Sequence, residues 1–156
     1  MEKKEMLQIL DTIIEDARTA VLATFDDKGM PVMRWVSPAI LRGRSGTIFT
    51  ITAPRSNKVQ HIKSNPQVQW IFQTRSLDKI INVEGKVNLL DNPSIRSEVL
   101  EVVGPRLVAF WKINVDERDL LVLETVIEKA TYYLPMKGTK ETVIFGREER
   151  EEIDGK

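Results

Sequence analysis

The sequence contains no cysteine and only one histidine, His61, among its 156 residues. Without cysteine the chain can form no disulfide, offers no thiolate nucleophile and cannot ligate zinc or an iron–sulfur cluster through sulfur. One histidine cannot build a multi-histidine metal site within the chain, and a Ser-His-Asp triad would have to include His61. These absences predict that no metal is bound and that demanding chemistry is supplied by an organic cofactor.

An excess of one charge and long apolar runs are also missing. Lysine and arginine number 23, aspartate and glutamate number 23, and the formal net charge is +0. Nucleic acids and anionic membranes attract proteins mainly through summed positive charge, so neither partner is expected. No stretch approaches the roughly 20 apolar residues that span a bilayer, and the charged start does not resemble a secretory signal. We therefore expect a soluble, cytoplasmic protein.

Hydrophobic periodicity divides the chain into three helices and a series of short strands. Apolar residues recur at helical spacing near the start, whereas alternating or continuous apolar runs bounded by turn residues predict strands. Asp26-Asp27-Lys28-Gly29 is a turn sequence that makes the first two strands a hairpin. The predicted helices cover residues 6–17, 56–64 and 93–103, and candidate strands cover residues 20–25, 32–36, 47–52, 68–72, 79–90, 107–111, 120–127, 130–134 and 142–145.

Most of these strands follow one another without an intervening helix, which favours an antiparallel barrel or curled sheet over a parallel βαβ arrangement. We expect a mainly β fold with flanking helices, in which residues 1–146 form one domain and residues 147–156 form a charged tail. Gly85, in the middle of a predicted strand, marks a bulge or a close approach of two backbones. Asn92 and Pro93 have the residue types of a helix N-cap and a first helical position.

A strand end that leads directly into a helix start is the most informative local pattern. Thr50-Ile51-Thr52 ends the third predicted strand, and Ser56-Asn57-Lys58 opens the second helix. The first turn of a helix presents N–H groups without intrahelical partners and the positive end of a dipole, both of which favour a phosphate. The three residues of the helix start add a hydroxyl, an amide and a cation. The alternative is that Ser56 only caps the helix and that Lys58 is a solvated surface residue.

Arg34 lies beside Trp35 in the second predicted strand, whose other residues alternate as in a half-buried strand. An arginine in such a strand usually has an anionic partner or lies at a sheet edge. We expect the turn at Gly43–Gly46 to pair the second and third strands, which would bring Arg34 and Lys58 to the same anion. The alternative is an edge charge beside an ordinary core tryptophan.

Six segments, taken in order, carry a resemblance to a known family; they are residues 20–24, 29–36, 49–52, 56–62, 65–68 and 83–87. The chain resembles the FMN-binding split barrels of the pyridoxamine 5′-phosphate oxidase-like superfamily, and in particular the short general-stress flavoproteins. The resemblance covers residues 13–90 well and the last third loosely. It implies an antiparallel, Greek-key-like split barrel with an N-terminal helix and two short helices. It also implies a homodimer with FMN in grooves at the interface.

The resemblance further implies which residues bind the cofactor. Arg34 and Lys58 would hold the phosphate of FMN together with Ser56 and Asn57. A second group would line the ribityl chain and the isoalloxazine ring; it consists of Trp35, Val36, Thr50, Ile51 and Thr52.

One departure from the family limits the expected function. True pyridoxamine-phosphate oxidases carry a C-terminal segment with an arginine and a histidine that engage pyridoxal phosphate, and no histidine follows His61 here. We therefore expect an FMN-dependent oxidoreductase of another substrate, and no side chain is assigned as catalytic. The alternatives are a flavin-binding or redox-sensing stress protein without a dedicated substrate, and a split barrel that binds haem or a deazaflavin.

Overall fold

The computed structural model describes residues 1–106 and 119–146. Within these ranges the chain forms three α-helices and seven strands, and all strand pairs are antiparallel. The prediction of a mainly β fold with flanking helices is therefore confirmed. In chain order the elements are α1 (Lys3–Ala17), β1 (Ala20–Phe25), β2 (Pro31–Val36), β3 (Thr47–Thr52), α2 (Asn57–Ser64), β4 (Gln67–Gln73), β5 (Ile80–Leu90), α3 (Pro93–Val103), β6 (Leu121–Leu134) and β7 (Thr139–Ile144).

The strands form one open sheet in which neighbouring strands follow the order β2-β1-β4-β5-β6-β3. Strand β7 is not part of this order and pairs with β6. The expected pairing of β2 with β3 is wrong, because β2 pairs with β1 and β3 pairs with β6. The connection over residues 37–46 is longer than the about two to five residues of a usual hairpin loop. It also contains Pro38, which has no N–H for a strand ladder. An isolated bridge from Ala39 to Phe49 and a hydrogen bond from the Thr50 hydroxyl to the Ser37 carbonyl tie this connection to β3.

Two apolar clusters form the core. In the larger cluster the buried face of α1 packs mainly on β4; the face consists of Met6, Leu10, Ile13 and Ile14. A smaller cluster joins α3 to β3 and β6 and includes Val99, Phe49 and Val122. The apolar stripes recognised at helical spacing are thus the faces that the helices bury.

Helix α3 begins and ends where its capping residues predict. The Asn92 side chain accepts a hydrogen bond of 3.1 Å from the backbone N–H of Ile95, and Pro93 occupies the first turn. These contacts satisfy one of the backbone donors that a helix start leaves without an intrahelical partner, while proline has no N–H to satisfy. The helix ends at Val103, directly before Gly104.

The bulge expected at Gly85 is confirmed, since the register between β5 and β6 shifts between Glu84 and Gly85. A Cβ atom at Gly85 would collide with the backbone carbonyl oxygen of Val126 and would lie 2.8 Å from Thr125 Cγ2. Only glycine allows the two backbones to approach so closely.

The prediction of two strands at 120–127 and 130–134 is wrong, because β6 continues through the charged residues between them. Glu128 Oε2 lies 4.0 Å from Lys86 Nζ, and Lys129 Nζ lies 3.5 Å from Glu84 Oε2. These cross-strand ion pairs let two charged residues remain inside a strand. The candidate strand 107–111 and the expected tail 147–156 lie outside the described residues.

None of the helices in the described part of the chain is both long enough and apolar enough to cross a membrane.

Candidate functional site

A pocket of about 170 Å³ opens where the end of β2, the end of β3 and the start of α2 meet. Its lining consists of Trp35, Val36, Ser37, Thr50, Ile51, Thr52 and Lys58. The structure therefore brings six of the nine sequence-predicted site residues together in one cavity. Ser37 is the lining residue that the sequence analysis missed, and its backbone carbonyl accepts a hydrogen bond of 2.8 Å from the Thr50 hydroxyl.

The turn between β3 and α2 places hydroxyl groups beside this pocket. The backbone N–H of Ser56 donates to the carbonyl of Ala53 at 3.1 Å, so the chain reverses directly into the helix. The Ser56 side chain does not cap α2; its oxygen accepts a hydrogen bond of 3.0 Å from the Thr52 hydroxyl. The Ser56 proton is thus left to donate to another group. Asn57 is exposed and does not line the pocket.

Lys58, which lines the pocket, has a second cation near it, Arg34, which does not belong to the lining. Burial lowers the pKa of the Lys58 ammonium, and the nearby Arg34 guanidinium lowers that pKa further. Burial also lowers the pKa of Arg34. Within residues 1–106 and 119–146 neither side chain makes a salt bridge to a carboxylate. Two half-buried cations without such a partner form a site that favours an anion.

Arg34 reaches this position from the inner face of the edge strand β2. Its Nη1 atom donates to Thr24 Oγ1 at 2.8 Å and more weakly to the carbonyl oxygen of Leu22 at 3.3 Å. Side chains alternate between the two faces of a strand, so Trp35 projects from the opposite face and is 66% exposed. The predicted pairing of β2 with β3 is therefore not what brings Arg34 near Lys58; the two cations are neighbours because β2 pairs with β1 and α2 packs against β1.

Thr24 and His61 complete the surroundings of Arg34, and the sequence analysis assigned neither of them to the site. Thr24 Oγ1, fully buried on β1, lies 2.8 Å from His61 Nδ1 in α2. The sequence contains one signal that points to His61. It lies three residues after Lys58, and residues three apart on a helix share a face.

A larger cavity on the sheet does not provide a comparable site. A pocket of about 410 Å³ lies across β4, β5, β6 and β7. Its charged side chains are paired with one another, Lys86 with Glu128 and Lys129 with Glu84. The smaller pocket therefore differs from it, because its cation Lys58 and the nearby Arg34 are not neutralised by any described carboxylate.

The residues around the smaller pocket fit the phosphate of FMN. The cations supply charge, Ser56 supplies a hydroxyl, and the first turn of α2 supplies backbone N–H groups. Apolar and hydroxyl side chains continue from this end along β3.

Comparison with known proteins places the chain in a family. The family model described as pyridoxamine 5′-phosphate oxidase matches residues 6–133. A pyridoxine/pyridoxamine 5′-phosphate oxidase from Shewanella halifaxensis is 35% identical over 95 residues, which cover 60% of this chain and 41% of the relative. The chain thus matches less than half the length of this oxidase.

Solved structures share the fold at lower identity. General stress protein 26 from Bacillus anthracis has a TM-score of 0.68 at 18% identity and covers 89% of this chain and 99% of its own. A pyridoxamine 5′-phosphate oxidase-related, FMN binding protein from Nostoc punctiforme has a TM-score of 0.63 at 11% identity, and the match covers 94% of this chain and 98% of that protein. A haem binding protein from Mycobacterium smegmatis has a TM-score of 0.68 at 15% identity, and the match covers 86% of this chain and 56% of that protein. The open antiparallel sheet is thus the split barrel of these proteins, and the chain belongs to the pyridoxamine 5′-phosphate oxidase family.

Proposed function

We propose that the chain is an FMN-binding oxidoreductase whose cofactor phosphate binds at Lys58 and Arg34. The observation that carries this proposal is a pair of neighbouring half-buried cations without a described carboxylate partner, of which Lys58 lines a pocket that also has hydroxyl and apolar groups. FMN, when bound, supplies the electron or hydride transfer that the side chains of this chain cannot perform.

Each side chain has a distinct part in holding the cofactor. Lys58 provides a compact charge to the phosphate, and Arg34 provides a planar fork of N–H donors. Ser56 donates its hydroxyl proton, because its oxygen already accepts from Thr52. Val36, Thr50 and Ile51 line the path of the ribityl chain and the ring edge. Asn57 has the weakest support among the predicted residues, because it is exposed and outside the pocket.

We further propose that a second copy of the chain completes the site. The pocket, at about 170 Å³, is smaller than the about 300–1,000 Å³ of usual cofactor sites, so a large isoalloxazine ring needs an additional wall. The edge strand β2 exposes Met33 by 70% and Trp35 by 66% on one face. Val21 and Ala23 of β1 lie opposite these residues and are partly exposed. An apolar face of this kind next to an incomplete pocket favours a homodimer interface that includes the ring site.

The absorbance of the purified protein tests the cofactor. We expect flavin bands after reconstitution with FMN and bleaching of these bands when NADH or NADPH is added without oxygen. A Soret band after incubation with haem, in a protein that takes up no FMN, would favour the haem alternative. Bound FMN that neither nicotinamide donor nor any other physiological donor reduces would favour a flavin-binding protein that is not an oxidoreductase. Pyridoxamine 5′-phosphate is not expected to be turned over.

Replacing Met33 with glutamate is expected to weaken the dimer. The change would bury two unpaired carboxylates, one from each copy, so the dimer dissociation constant should rise by at least about tenfold. Sedimentation velocity over a concentration series measures this constant. Met136→Glu is the matched control, because Met136 is 86% exposed in the turn between β6 and β7. A dimer that is equally stable in both variants would rule out the β2 face as the interface.

A further inference from the structure

A buried threonine hydroxyl connects the only histidine of the chain to Arg34. Thr24 lies on β1 at 0% exposure, and its Oγ1 atom is 2.8 Å from His61 Nδ1. The same oxygen accepts a hydrogen bond of 2.8 Å from Arg34 Nη1. Side chains from β1, β2 and α2 therefore meet at a single hydroxyl group.

The protons at this hydroxyl can be counted. Arginine only donates, so Thr24 Oγ1 accepts from Arg34, and the one proton of the hydroxyl must be given elsewhere. Among the residues that the structure describes, His61 Nδ1 is the acceptor within reach, and Thr24 itself is fully buried. If His61 instead donated from Nδ1, the threonine proton would be buried without a partner. The hydroxyl is fully hydrogen-bonded when Arg34 donates to Thr24 and Thr24 donates to His61. In this arrangement Nδ1 of His61 is unprotonated and the imidazole proton is on Nε2.

This chain of hydrogen bonds sets the orientation of the Arg34 guanidinium. The two Nη1 protons are engaged by Thr24 Oγ1 and the carbonyl of Leu22. The Nε and Nη2 donors have no hydrogen-bond partner in the described part of the chain. These donors form the planar edge that recognises a phosphate or carboxylate in a bidentate manner.

The same bond sets the position of α2. Lys58 and His61 are three residues apart on this helix and lie on neighbouring positions of one face. The contact of His61 with Thr24 therefore ties the helix turn that carries Lys58 to strand β1. Lys58 in the pocket and Arg34 near it are thus both placed relative to one buried hydroxyl.

We propose that His61 is a positioning residue for the anion site: it accepts the Thr24 proton on Nδ1, which leaves the Thr24 oxygen to hold Arg34 beside Lys58. The proposal rests on the proposed function, in which the anion is the phosphate of FMN. His61 itself does not contact the cofactor in this arrangement. Its effect is therefore confined to ligands that carry the phosphate.

The protonation state of His61 can be measured without any cofactor. A two-bond ¹⁵N–¹H correlation spectrum of ligand-free, histidine-labelled protein at about pH 8 distinguishes the two imidazole tautomers. Its signals belong unambiguously to His61, because the chain has no other histidine. We expect the Nε2–H tautomer with a hydrogen-bonded Nδ1, and loss of that hydrogen-bond shift in Thr24→Val. A dominant Nδ1–H tautomer in the unaltered protein would overturn the proposal.

Binding measurements separate positioning from a general structural role. Thr24→Val and His61→Leu are expected to raise the dissociation constant of FMN about two- to tenfold, as for the loss of one hydrogen bond, and to change that of riboflavin less than twofold. His61→Asn keeps an acceptor near the place of Nδ1 and should retain FMN affinity within twofold. Equal losses for FMN and riboflavin, or an asparagine variant as weak as the leucine variant, would show that His61 acts only through packing.

Failure of this proposal can be distinguished from failure of the proposed function. If the unaltered protein binds no FMN after reconstitution, the proposed function falls. The role of His61 would then be tested in two ways. The first is its tautomer, and the second is a titration of the protein with inorganic phosphate, in which the Arg34 side-chain N–H signals are followed. Phosphate shifts that survive unchanged in Thr24→Val and His61→Leu would overturn the positioning role.

Discussion

Replacing Lys58 with alanine is expected to weaken FMN binding by about 1.5–3 kcal/mol, which is roughly 10- to 150-fold in the dissociation constant. Lys58 lines the pocket and is one of its two neighbouring cations, so its loss removes a charged hydrogen bond to the phosphate. Riboflavin has no phosphate, and its affinity should change little. Quenching of flavin fluorescence during titration measures both constants.

Lys63→Ala is the matched control for this substitution. Lys63 belongs to the same helix but is exposed, so its removal should leave both affinities within about twofold of the unaltered protein. Equal losses of FMN and riboflavin affinity in Lys58→Ala would remove Lys58 from the phosphate site.

The stability of the ligand-free Lys58→Ala protein provides an independent readout. Burial and the nearby Arg34 both disfavour the charged form of Lys58, as the lowered pKa shows. Removing this charge relieves the repulsion but also removes apolar contacts of the lysine stem. Because the pair is partly exposed and screened by solvent, we expect the free energy of unfolding to change by less than about 1 kcal/mol. A large loss of FMN affinity with little loss of stability would show that Lys58 contributes to ligand binding and not to folding.

Replacing Gly85 with alanine is expected to lower the free energy of unfolding by at least about 1–3 kcal/mol, the usual cost of overpacking. The added Cβ would collide with the backbone oxygen of Val126, which cannot rotate away as a flexible side chain could. The neighbouring Thr125 is also held, because its hydroxyl accepts a hydrogen bond of 3.0 Å from Trp70 Nε1. Urea unfolding followed by tryptophan fluorescence measures the change as a lower midpoint.

Gly146→Ala serves as the control for the bulge. A Cβ atom at Gly146 meets nothing within 4 Å, so its free energy of unfolding should stay within about 0.5 kcal/mol of the unaltered protein. If Gly85→Ala were equally neutral, the close approach of β5 and β6 at Gly85 would not contribute to the stability of the sheet.

Local signals in the sequence predicted most individual elements. The stripe from Met6 to Ile14, the cap at Asn92 and the glycine at the bulge each act over a few residues, so their effects can be read without knowing the fold. Strand partners and strand length were less predictable. The pairing of β2 with β3 was wrong, and the continuity of β6 through Lys129 accompanies backbone pairing with two other strands, β5 and β7.

The candidate site was also predicted only in part from the sequence. The resemblance named six residues that the structure gathers into one pocket, and the turn from Thr52 into α2 explains how neighbours in sequence reach it. It did not indicate that Arg34 and Trp35 project from opposite faces of β2 with different surroundings. It also left out Thr24 and His61, which are 37 positions apart and share a hydrogen bond.

The sequence by itself determined which chemistry is available to this protein. A chain with no cysteine and a single histidine offers few reactive side chains of its own, and the Ser56-Asn57-Lys58 helix start is suited to an anion wherever it lies. Only the tertiary structure decided which groups surround that anion site. The pairing of β2 with β1 and the packing of α2 against β1 bring Arg34 and His61 within hydrogen-bond reach of Thr24, because burial of apolar faces, and not local propensity, sets the distance between elements remote in sequence.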